Sequence, residues 1–145
     1  MARIDKEITV NASIDRVFKY ISVPSKWLEF WPSLVKIEDV QSLPNGGYRA
    51  KYDYKMLGMH YRGTGEYTEF SPNQLIVVQT KGSIKSTIMI TTHSTEDKTR
   101  ITLMIEYGIP VTLLGKLTEF VILKMNESEA DLVMRNLQIR FLQPY

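Results

Sequence analysis

Tyr52 and Tyr54 belong to a stretch that alternates strictly in character. Tyr48, Ala50, Tyr52, Tyr54 and Met56 lie on one side, and Arg49, Lys51, Asp53 and Lys55 on the other. On a strand, successive side chains point to opposite faces, so the rings share one apolar face. A phenol on such a face either sends its hydroxyl to solvent or a backbone carbonyl, or offers it to the oxygen of a bound molecule. As a pair, Tyr52 and Tyr54 read as pocket lining. Other chemistry-bearing residues are sparse. There are two histidines, His60 and His93, both near strand ends. A hydrolytic zinc site needs three protein ligands in close array, and no such cluster is visible, so neither a metal nor a cofactor is expected. Nothing marks the strand-to-helix turn of a serine nucleophile. Gly63-Thr64-Gly65 falls inside a strand, where close packing or a bulge explains glycine better than a phosphate cradle. Glu106 is out of phase with its apolar neighbours Ile105 and Tyr107 and is expected to face solvent. Only a bulge turning it inward would raise its pKa and make it an acid or base. Glu66 and Glu69 alternate faces and cannot both point inward unless the strand is bulged. No catalytic residue is assigned.

The elements that must position the tyrosines follow from periodicity. Ile4, Lys6, Ile8 and Val10 alternate with Arg3, Asp5, Glu7 and Thr9, giving a first strand. Ser13 stands where an N-cap belongs, with Asp15 in the first turn. Ile14, Val17, Phe18 and Ile21 then mark an amphipathic helix. Pro24 stops it, Ser25 is placed to cap a second short helix through Trp27, Leu28 and Phe30, and Pro32 stops that one. Six strands follow between Ser33 and Tyr107, joined by hairpin-like turns such as Pro44-Asn45-Gly46-Gly47 and Ser71-Pro72-Asn73, so the sheet is antiparallel. Beyond Pro110 a single helix is expected over Leu113 to Leu142, about 45 Å long at 1.5 Å per residue. It carries one stripe of Leu114, Leu117, Val121, Met125, Leu132 and Ile139. A second apolar set, Phe120, Leu123, Ala130, Met134, Leu137 and Phe141, lies well round the cylinder, which suggests contact on two sides. Glu127, Glu129 and Asp131 form a charged group, with Asp131 and Arg135 spaced for an exposed i, i+4 pair. One long helix beside many antiparallel strands buries its apolar surface when the sheet curves round it, and such an arrangement leaves a space between them.

Composition bounds the rest. A chain of 145 residues with 43% hydrophobic content reads as one globular domain, residues 1–145. The net charge of +2, from 18 basic and 16 acidic residues, is too balanced for a nucleic-acid partner. Cysteine is absent, which excludes disulfides and thiolate chemistry. Met1 to Val10 has no signal-peptide core and no apolar run approaches the roughly 20 residues of a membrane span. The triplets Asn11-Ala12-Ser13 and Asn126-Glu127-Ser128 then read as accidental, and a cytoplasmic protein is expected.

The segment Ile8-Thr9-Val10-Asn11-Ala12-Ser13-Ile14-Asp15-Arg16-Val17-Phe18 resembles the opening signature of START-like (SRPBCC) proteins, in particular their polyketide cyclase/dehydrase branch. Trp27, Trp31 and Pro32, with the strand through Val35 and Ile37, resemble that branch's next block. Gly47, the Ser71-Pro72-Asn73-Gln74-Leu75 turn and Tyr107-Gly108-Ile109-Pro110 match later features. The resemblance covers essentially the whole chain. It implies an α+β helix-grip fold: a curved antiparallel seven-stranded sheet wrapped round a long C-terminal helix, with two short helices after the first strand. It also implies an apolar cavity between sheet and helix. Strand faces would supply Tyr52, Tyr54, Met56, Ile88, Ile90, Ile105 and Tyr107, and the helix would supply Leu117, Val121 and Met125. Trp31 is expected near one end.

The superfamily serves many roles, so fold alone does not fix one. The expected function is binding or transport of a small hydrophobic molecule, such as a lipid, isoprenoid, quinone or polyaromatic, with little or no catalysis. One alternative is a cyclase or dehydratase, for which Glu106 and His60 are poor acids or bases. Another is an accessory protein of a membrane or respiratory complex, built on an exposed apolar patch at Leu113 to Leu123. With only Lys116 and Lys124 beside that patch, membrane contact is expected to be transient at most, and the protein a monomer or homodimer.

Overall fold

Turns of two to five residues join the six strands between Leu34 and Tyr107, so each pairs with the next along the chain. The computed structural model describes residues 2–109 and 119–142. In chain order it contains β1 (Ala2–Val10), α1 (Ile14–Ile21), a 3-10 turn (Pro24–Lys26) and α2 (Trp27–Phe30). Then come β2 (Leu34–Ser42), β3 (Tyr48–Met56), β4 (Met59–Ser71), β5 (Leu75–Gly82), β6 (Ser86–Thr95), β7 (Lys98–Tyr107) and α3 (Glu119–Arg140). The seven strands form one curved antiparallel sheet in the order β1-β7-β6-β5-β4-β3-β2. This is the helix-grip arrangement. Among the described residues, no helix is long and apolar enough to cross a membrane. The expected start of the long helix, including Leu114, Lys116 and Leu117, lies outside the described residues, as does Pro110.

Local chemistry sets the turns. Leu57 and Gly58 both have positive φ, 54° and 77°, and join β3 to β4 between the paired Met56 and Met59. Two left-handed residues in a two-residue loop match the twist of a hairpin. Gly63 is required by close approach, since a Cβ there would lie 1.9 Å from the Lys81 carbonyl oxygen. Close packing therefore explains that glycine, as its place in a strand suggested.

The first helix starts as expected: Ser13 Oγ accepts from the Arg16 amide at 3.4 Å. Ser25 does not cap the second. Pro24 already opens the 3-10 turn, with its fixed φ and missing N–H suited to a first helical position. Ser25 is then inside the turn, and α2 has no side-chain cap. The two short helices close one end of the sheet. Val17, Ile21 and Phe30 are almost completely buried, and the Trp27 ring stacks on Trp31 with centroids 5.5 Å apart.

The helix α3 corrects a second expectation. It does not bury both apolar sets. Ile122, Ala130, Val133, Met134, Leu137 and Phe141 are buried, a single face at spacings of three and four. Leu132 and Ile139, on the opposite side, are 45% and 53% exposed, and Val121 and Phe120 are also exposed. The sheet grips one side of the rod; of the first stripe, Val121, Leu132 and Ile139 face outward. Nor does Asp131 make its ion pair with Arg135. It meets Lys6 of β1 at 3.0 Å, and Glu127 meets the same lysine at 2.7 Å, because that edge of α3 lies along β1.

Candidate functional site

The inward faces of β3, β4, β6 and β7 and the buried side of α3 bound a cavity of about 160 Å³. Strand alternation sends Tyr48, Ala50, Tyr52, Tyr54 and Met56 of β3 into its wall. Register sets Gly65 opposite Ala50, Ile105 opposite Ile88, and Tyr107 opposite Ser86, and all of these line it too. Trp31 stands at the end nearer α2, and Asn126, Glu129 and Ala130 come from α3.

Of the residues expected at the cavity, Trp31, Tyr52, Tyr54, Met56, Ile88, Ile105 and Tyr107 are on its wall. Ile90 is buried in the solid core instead, further along β6 toward the end that α1 fills. Val121 and Met125 are not on the wall, since the helix presents Asn126 and Glu129 there. Leu117 lies outside the described residues. Glu106 and His60 occupy the other face of the sheet. β7 pairs with β1 without a bulge, placing Glu106 opposite Arg3. His60 Nδ1 sits 2.8 Å from the Asp53 carboxylate. Neither reaches the cavity.

The polar groups of the wall are almost all satisfied by one another. Glu129 is the centre of the largest cluster. Its carboxylate accepts from Trp31 Nε1 and from the Ser33 amide, both at 3.1 Å, and also from the Ser33 and Tyr54 hydroxyls in close contacts. A carboxylate has about four lone-pair sites, and here each has a donor. The Tyr52 hydroxyl donates to the Ile84 carbonyl at 3.3 Å. Thr80 Oγ1 donates to the same carbonyl at 3.0 Å, and Thr80 and Ser86 share a bond of 2.6 Å. Tyr107 differs. Its hydroxyl is buried and its proton has no acceptor; the Asn126 amide, a donor, is the polar side chain beside it.

Nothing in the sequence pattern singled out Glu129, which reads there as one member of a surface charge group. The usable signal was helical phase. Ala130, Leu137 and Phe141 define the buried side, Asn126 falls one turn before Ala130, and Glu129 falls on its rim.

Burial, reinforced by the charge of Glu129, pushes the Tyr54 hydroxyl far above its ordinary pKa, and burial does the same to Tyr67. The unfolded chain ionises both near pH 10, at about the model-peptide value, while the folded chain keeps them neutral. Each therefore contributes stability in full below about pH 10, and loses about 1.4 kcal/mol of it per pH unit above that. Urea unfolding midpoints should fall between about pH 9 and pH 11, and Tyr54→Phe should flatten that slope. A midpoint indifferent to pH over this range would contradict the burial of these rings.

A profile for the family described as polyketide cyclase / dehydrase and lipid transport matches residues 1–141. No curated protein sequence matches the chain. Solved structures do. TTHA0849 from Thermus thermophilus superposes with a TM-score of 0.82 at 15% identity, over 97% of both chains. A START superfamily protein from Mycobacterium smegmatis gives 0.81 at 12% identity over 99% of both. The Zhui aromatase/cyclase from Streptomyces sp. R1128 gives 0.75 at 14% identity, over 96% of this chain and 92% of that one. At these identities the likeness is one of fold.

Proposed function

The chain belongs to the polyketide cyclase / dehydrase and lipid transport family, and from that premise we propose that it binds a small hydrophobic molecule between the sheet and α3. The observation that carries this reading is the cavity itself: about 160 Å³, lined mainly by apolar and aromatic side chains. Binding would be driven by moving apolar surface out of water, worth about 25 cal/mol per Å². Size narrows the ligand. An engineered cavity of about 150 Å³ holds benzene, and drug-sized ligands occupy roughly 300–1,000 Å³. The described walls therefore suit a compact ring system, and a long-chain lipid or isoprenoid would require them to part.

The test is titration of the folded protein with 1-aminonaphthalene, a compact two-ring dye whose emission changes out of water. Saturable one-to-one binding, competed by indane and lost on unfolding in urea, is the expected result. No saturable binding would overturn the reading.

One observation favours a second reading, a cyclase- or dehydratase-type reaction: Glu129 is an acid on the cavity wall. Its four occupied acceptor positions argue for holding the fold together instead, since a base must have a lone pair free for the proton it takes.

A further inference from the structure

Tyr107 is 7% exposed, lines the cavity, and carries a buried hydroxyl whose proton has no acceptor on the described wall. A buried hydroxyl left without a partner is unfavourable, and nearly every comparable group in this cavity has found one. Asn126 stands on the same wall, its amide placed to donate to the Tyr107 oxygen and so to act against the effect of burial on that hydroxyl. Its amide supplies two further donors.

We propose that Tyr107 and Asn126 form the polar recognition point of the cavity and that the ligand is a compact ring compound carrying a carbonyl oxygen at that end. This deepens the binding function proposed above and rests on it. A carbonyl fits better than a hydroxyl for a reason of donor and acceptor balance. Its two lone pairs can accept from the Tyr107 hydroxyl and from the Asn126 amide together. A ligand hydroxyl would bring a proton of its own: the Glu129 carboxylate is already filled by Trp31, Ser33 and Tyr54, and the Asn126 amide oxygen could take that proton only by turning its N–H groups away from Tyr107, where they act as donors. The hydroxyls of Tyr52, Tyr54, Thr80 and Ser86 are already bonded within the fold, and the apolar wall around them discriminates only by shape. Specificity is then concentrated at one place: a pure hydrocarbon of the right size would fill the space but leave the hydroxyl unpaired.

Two probes of nearly equal shape separate the possibilities, 1-indanone and indane, with dissociation constants measured by amide chemical-shift titration. The wild-type protein should bind 1-indanone roughly tenfold more tightly, the scale of one net hydrogen bond. Tyr107→Phe should weaken 1-indanone about tenfold, leave indane unchanged, and so erase the preference. The same substitution removes a buried hydroxyl that donates to nothing in the fold, and the half-buried Asn126 amide can turn to water, so the thermal midpoint should be unchanged or higher. A midpoint several degrees lower would show that the hydroxyl is bonded within the fold and would overturn the proposal. Asn126→Ala should weaken 1-indanone alone, by a smaller factor. Equal affinities for both probes in the wild type would mean the hydroxyl takes no part in recognition, overturning this inference while leaving the cavity as a binding site. If neither probe binds, the cavity reading and this inference fall together.

Discussion

Glu129→Ala should lower the thermal unfolding midpoint by roughly 10 °C. The substitution takes away the acceptor of four hydrogen bonds and strands the Trp31 indole N–H, the Ser33 amide and hydroxyl, and the Tyr54 hydroxyl. Stranded buried donors cost about 1–3 kcal/mol each, and some of these will find water, so about 3 kcal/mol in total is expected. For a chain of this length that is roughly 10 °C. The control is Glu127→Ala, on the same helix: that carboxylate is half exposed and pairs with Lys6, an interaction worth at most about 1 kcal/mol. Glu129→Gln should fall between them, since its amide keeps one acceptor oxygen but turns donors against donors at the other. If Glu129→Ala unfolds no earlier than Glu127→Ala, the cluster does not hold α3 to β3 and to the chain after α2.

Gly65→Leu should weaken ligand binding roughly a hundredfold or more, about 3 kcal/mol, in a protein that remains folded. A Cβ at Gly65 would sit 3.5 Å from Val78 Cγ1 and 3.9 Å from Thr80 Cγ2. These are ordinary contact distances, and the longer side chain would extend into the cavity that Gly65 lines. Filling an apolar void recovers contacts that its walls lack, so the thermal midpoint should hold or rise. The dye titration checks the first claim and a melting curve the second. Undiminished binding of 1-aminonaphthalene by a folded Gly65→Leu protein would place the dye elsewhere, and the internal cavity would lose its claim to be the site. The neighbouring Gly63 offers no such test, because a Cβ there meets backbone.

How the residues divided between legible and illegible follows from the range of the forces involved. Strand character in Tyr48–Met56 needs only the alternation of its own nine residues, and the hairpins need only the few residues of each turn. The Ser13 cap is equally local, reaching no further than Arg16. Tyr52, Tyr54, Ile105 and Tyr107 could therefore be assigned to the concave side before any coordinates. The Ser25 cap went wrong because two valid local signals competed, and the proline one residue earlier started the turn first.

The long helix was harder. Its apolar residues fall on two sides, and only one is covered. Val121, Met125, Leu132 and Ile139 are as hydrophobic as Ile122, Val133 and Leu137, and nothing in the helix itself says which set the sheet will grip. Choosing the wrong phase moved two expected lining residues off the wall and hid Asn126 and Glu129, which are on it. Ile90 illustrates the same limit along a strand. It shares a face with Ile88 but lies further toward the end where α1 packs, so one residue borders a hollow and the other a solid core.

The sequence by itself determined the kinds of element, their order, the side of each strand that turns inward and the scarcity of reactive groups. Each of these depends on neighbours a few positions away. Only the tertiary structure decided the rotation of α3, the place where packing stops and the cavity begins, and which polar groups end with partners. Those depend on residues such as Tyr54 and Glu129, which lie 75 positions apart and meet only when the sheet has closed on the helix.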